Sequence, residues 1–81
     1  MRILLSYPTD VGIFDIGQSV SKKYHPIFND KILGTYSSVQ EAVTNLINNK
    51  TLEVENKETK ELIDVSKLEI PEDYTQWDSN Y

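Results

Sequence analysis

The sequence predicts an α+β fold: a small antiparallel sheet of four to six strands with one helix packed on one face, in the order ββββ-α-ββ, followed by an extended acidic C-terminal tail. Three observations lead there. Val39, Ala42, Val43, Leu46 and Ile47 recur at helical spacing. Short β-rich runs punctuated by Asn, Asp, Gly and Pro occupy most of the remaining chain. A chain of 81 residues and 9.3 kDa also makes one domain rather than two. At that mass the folded chain exposes roughly 5,000 Å², so about 63% of the unfolded surface is buried and the core is thin.

Ile3–Tyr7 reads as the first strand, and Pro8-Thr9-Asp10 turns the chain. Val11, Ile13 and Phe14–Ile16 form a second β-rich run, with Gly12 as a possible bulge inside it and Gly17 closing it. The polar stretch 18–23 is a loop. Tyr24–Phe28 and Ile32–Tyr36 follow as a hairpin about Asn29-Asp30-Lys31, because Asn and Asp tolerate positive φ. Pro26 cannot donate to a ladder, which predicts an edge strand or a bulge there.

The helix is expected over about Ser38–Asn48. Ser38 with Glu41, or Ser37 with Gln40, supplies a capping box, and Asn48-Asn49 a left-handed stop. Its outward side, Gln40, Glu41, Thr44, Asn45 and Asn48, is nearly uncharged, a composition compatible with a contact surface. Leu52 and Val54 then alternate with Glu53 and Glu55 as a half-buried strand, and Leu62–Val65 returns after the five-residue loop Asn56–Lys60. Residues 1–70 are thus expected as the domain and residues 71–81 as an extended acidic, aromatic tail.

Composition excludes several chemistries. The sequence has no cysteine, which removes disulfides, thiolate nucleophiles and cysteine zinc sites and favours a reducing compartment, the cytoplasm. The longest apolar run near the start, Ile3-Leu4-Leu5, is too short for a signal peptide or a membrane span. Asn49-Lys50-Thr51 fits a glycosylation acceptor, a chance match without a secretion route. Eight basic and 13 acidic residues give a net charge of −5. That balance argues against direct nucleic-acid binding, which needs a basic footprint.

His25 is the only imidazole and precedes a proline. A catalytic histidine needs a nucleophile and an orienting acid, and a zinc site needs companion ligands; neither pattern accompanies it. The carboxylate pairs Asp10/Asp15 and Glu53/Glu55 read as solvated strand faces rather than a glycosidase dyad. No phosphate loop or nucleophile elbow occurs. No cofactor is expected, and the chain reads as a non-enzyme.

The charge is unevenly placed. In residues 1–50 five basic residues oppose four acids, whereas in residues 51–81 three lysines oppose nine acids. Such a field steers a basic partner. The candidate partner-binding residues are Glu69, Glu72, Asp73, Tyr74, Trp77, Asp78 and Tyr81, acids for attraction and aromatics for anchoring. Trp77 has a competing, favoured reading as the ring that completes the thin core, leaving residues 78–81 to reach outward. The expectation is a protein-binding module that docks its acidic last third on a basic surface of a larger protein, in the manner of a small acidic inhibitor of a nucleic-acid-handling enzyme. The alternatives are a structural subunit of a larger assembly and a small-ligand or metal-binding domain centred on His25.

Overall fold

A computed structural model describes residues 1–79. Its elements are β1 (Arg2–Thr9), β2 (Gly12–Gln18), β3 (Tyr24–Phe28), β4 (Lys31–Ile32), α1 (Val39–Ile47), β5 (Val54–Glu55), β6 (Leu62–Ile63) and β7 (Asp78–Ser79), with 3-10 turns at Val65–Lys67 and Tyr74–Gln76. The main sheet is fully antiparallel, in the order β4-β3-β2-β1-β7, and β5 and β6 form a separate two-stranded sheet. The α+β class and the order of elements are as expected. The second hairpin does not join the main sheet, however, and the last strand comes from the segment read as a tail.

Side-chain alternation sorts the main sheet into two faces. On the inner face Leu5 stands opposite Ile16, which stands opposite Pro26, and Tyr7–Phe14–Phe28 form the next row. Phe14 and Phe28 stack with ring centroids 4.3 Å apart, and α1 covers them with Ala42, Val43 and Leu46, all fully buried. Val39 and Ile47 flank that contact half-buried. The bulge lies between Ile3 and Leu5 of β1, not at Gly12, and it lets two consecutive leucines, Leu4 and Leu5, enter the core. Gly12 instead opens β2 at φ +139°, where a Cβ would meet the Phe28 ring at 3.0 Å.

The β3–β4 turn has φ 51° at Asn29 and 64° at Asp30, the two positive values of a type I′ hairpin. Pro26 lies in an interior strand, yet its missing donor has a visible consequence. Its carbonyl accepts from Leu33 N at 2.8 Å, while Tyr24 and Tyr36 exchange both backbone bonds at 2.8 Å. The side of β3 that lacks the Pro26 N–H is therefore the one facing β4. The ladder stops after Ile32 and resumes only at Tyr36, which explains why the expected strand 32–36 is so short.

Ser38 caps α1 by accepting from Glu41 N at 3.1 Å, and Asn49, at φ 57°, ends it. Asn49 Oδ1 then accepts from Val65 N at 3.3 Å, tying the helix end to the 3-10 turn. Residues 71–79 are not simply extended. They hold the 3-10 turn, β7 and Trp77, which is 4% exposed. The Trp77 indole N–H donates to Pro71 O at 3.1 Å, and its ring lies 5.6 Å from that of Tyr7.

Two stability measurements follow. Leu46→Ala, at a site with no exposure, should cost about 2–5 kcal/mol in urea unfolding. Trp77→Ala should cost about 3–5 kcal/mol, although only four residues of the sequence follow it. A loss below about 1 kcal/mol for either would mean its side chain is not core.

Candidate docking surface

The residues read as partner-binding are distributed over three regions. Glu69 is exposed at φ 55° and lines a shallow groove of about 280 Å³ with Asp10, Lys67 and the end of β1. Glu72 and Asp73 lie beside α1, where Gln40 Nε2 donates to Glu72 O at 3.3 Å. Tyr74 is half-buried against the core and Trp77 is within it, so neither ring projects freely. Tyr81 lies outside the described residues. Asp78 belongs to β7, directly opposite Ser6 of β1.

Local hydrogen bonding occupies part of this acidity. Asp73 caps the Tyr74–Gln76 turn, its Oδ1 accepting from Thr75 N at 3.0 Å and from the Thr75 hydroxyl at 2.6 Å. Asp64 caps the preceding turn in the same way, through Ser66 N at 3.1 Å and the Ser66 hydroxyl at 2.5 Å. These hydroxyls favour the charged form and hold both carboxyls below the usual range.

Asp78 stands in a row the sequence reading did not assemble. Asp78, Ser6, Asp15, Ile27 and Ile32 are successive partners across β7, β1, β2, β3 and β4. Paired residues share a face, and the neighbours of Asp15, Phe14 and Ile16, are fully buried inward. The row therefore lies on the outer face, away from the helix. Ser6 Oγ donates to Asp15 Oδ1 at 2.6 Å. The adjoining outer rows are Ile3–Gly17–His25 and Pro8–Ile13. Met1 covers Gly17, whose absent Cβ would collide with the Met1 thioether. Met1 and Ile13 are each 56% exposed and Ile32 46%. The signal for this face was the alternation of Ile13 and Asp15 with Phe14 and Ile16, visible only once β2 is given a face.

His25 is on the same face but enclosed. Its Nδ1–H donates to Gly34 O at 2.9 Å, since a carbonyl only accepts, and the Thr35 hydroxyl oxygen is 3.2 Å away. Nε2 is buried without a hydrogen-bond partner. Among the described residues no group of three or more His, Asp or Glu converges as a metal site, and no helix is long and apolar enough to cross a membrane. A second shallow groove, of about 240 Å³, mixes Lys31, Lys57 and Lys60 with Glu53 and Glu55. Compared with protein families, curated proteins and solved structures, the chain matches none.

The capping acids make a pH prediction. Their folded pKa values lie below the unfolded ones. Their contribution to stability is thus present above the ordinary carboxylate pKa and is lost as pH falls through the lowered folded values. Asp64→Asn with Asp73→Asn, which keeps an acceptor at each cap but no titration, should show a shallower fall in Tm than wild type between about pH 5 and pH 2. Parallel acid limbs would show that these caps are not linked to folding.

Proposed function

We propose that the chain is a non-enzymatic protein-binding module that docks its acidic last third on a basic surface of a larger protein. The observation that carries this reading is exposure: all nine acids from Glu53 to Asp78 lie at the surface, whereas the aromatic Trp77 between them is buried. The acids thus remain available as a field, and the fold leaves the half-buried Tyr74 and the buried Trp77 little part in anchoring. Solvated charges attract over about 8 Å at physiological ionic strength, so their effect falls mainly on association.

A basic surface broad enough to receive these acids is of the kind that nucleic-acid-handling enzymes use to hold phosphates. Occupying it would inhibit such an enzyme by competition. A cytoplasmic location suits both that target and a cysteine-free sequence. The ring of His25, tied to the Gly34 carbonyl with Nε2 enclosed, supports the non-enzymatic side of the reading.

The test is capture from native lysate, identification of the bound protein, and surface plasmon resonance with that protein in purified form. Association should slow roughly tenfold or more from low to high salt while dissociation changes little. Changing Glu69, Glu72 and Asp78 to their amides should reproduce part of that slowing at low salt. Asp73 is left intact because its carboxylate caps a turn. An on-rate indifferent to both salt and the amides would overturn electrostatic docking.

A further inference from the structure

From the outer face of the main sheet we infer that its occupant is an aliphatic surface of the partner that carries an arginine, seated over Ser6 between Asp15 and Asp78. This deepens the acidic-docking reading and rests on it. The face combines two properties that seldom coincide on a solvated sheet. Its aliphatic side, Met1, Ile13, Ile27 and Ile32, is substantially open to solvent, with Ile27 half-buried. The charged side chains at its strand positions are of one sign: these positions hold Asp15 and Asp78 and neither lysine nor arginine.

The geometry selects the occupant's charge and shape. Asp15 and Asp78 flank Ser6 on alternate strands, about 10 Å apart by strand spacing. Ser6 holds the Asp15 carboxylate in place at 2.6 Å. A guanidinium over Ser6 meets a carboxylate on either side, and its aliphatic stem lies along Ile27 and Ile13. A lysine ammonium is more strongly hydrated and presents no planar fork, so it suits a half-apolar site less well.

A second copy of the chain is a poorer occupant on two counts. A two-fold contact of this face would press Asp15 and Asp78 against their own counterparts, like charges in a partly desolvated contact. The face measures only about 20 by 20 Å from strand spacing and rise, so a self-contact buries about 800 Å² in total, short of the ~1,200–2,000 Å² of a stable interface. A hetero contact can extend past β7 onto the acids outside the sheet, which a basic partner also attracts.

The experiment is a titration of the full ¹⁵N-labelled chain, at low ionic strength, with an acetylated and amidated hexapeptide alternating arginine and leucine. Amide shifts should concentrate on Ser6, Ile13, Asp15, Gly17, Ile27 and Ile32, and a glutamate–leucine control should leave them unmoved. Asp15→Asn with Asp78→Asn should weaken binding roughly tenfold. Ile13→Ser with Ile32→Ser should weaken it as well, and if that pair loses its dispersed spectrum, Ile13→Ser alone serves. Shifts confined to residues 53–61 and 69–73 would overturn this inference and leave the acidic-docking reading standing. No shift anywhere would overturn both. A concentration-dependent dimer that Ile13→Ser dissolves would also overturn it, by making a second copy the occupant.

Discussion

One short helix has to cover a five-stranded sheet, and most of the structure follows from that mismatch. Nine residues of helix extend about 13 Å, whereas five strands spread about 19 Å between their outermost axes. The helix reaches β2 and β3 and seals the Phe14–Phe28 stack. The β1 side of the inner face is left to other residues. Trp77 covers it against Tyr7, while Val54, beside Leu33 at the β4 end, Val65, at the helix end, and Ile70 complete the core from the segments after the helix. The last third of the chain is therefore structural and acidic at once, its apolar residues turned inward and its carboxylates left at the surface.

The same shortage explains the outer face. A chain this size has one layer of helix to offer, and both the helix and Trp77 are spent on the inner side. Trp77 and Asp78 are neighbours in an extended segment, so when the ring turns inward the carboxylate turns outward, opposite Ser6. The packing demand of the core thereby places a tail acid in one row with Asp15, across Ser6 from a residue more than sixty positions away in the chain. The enclosed His25 marks where the outer face closes, beneath the irregular segment that follows β4.

Several local decisions were legible because they depend on near neighbours. The Asn29-Asp30 turn follows from the tolerance of those residues for positive φ, and the Ser38 cap from a hydroxyl three residues before an amide in need of an acceptor. The loop Asn56–Lys60 formed where expected, between β5 and β6. Misplacements arose where distant residues intervene. Gly12 interrupts an apolar run, which locally signals a bulge, but its role is set by the Phe28 ring above it. The strand after Lys31 is shorter than its apolar residues alone suggest because Pro26, across the ladder, has no N–H to give it.

By itself the sequence determined the class of fold, the helix and its inward stripe, the two hairpins, and an acidic last third. Each is encoded in periodicity, turn chemistry or composition over a dozen or so residues. Only the tertiary structure decided that β7 closes the sheet beside β1, that the second hairpin stands apart, and that Asp78, Ser6 and Asp15 share one row with Ile27 and Ile32. Strand order and register pair residues across long separations, and no local propensity specifies them. They are chosen by which arrangement buries Phe14, Phe28, Leu46 and Trp77 together.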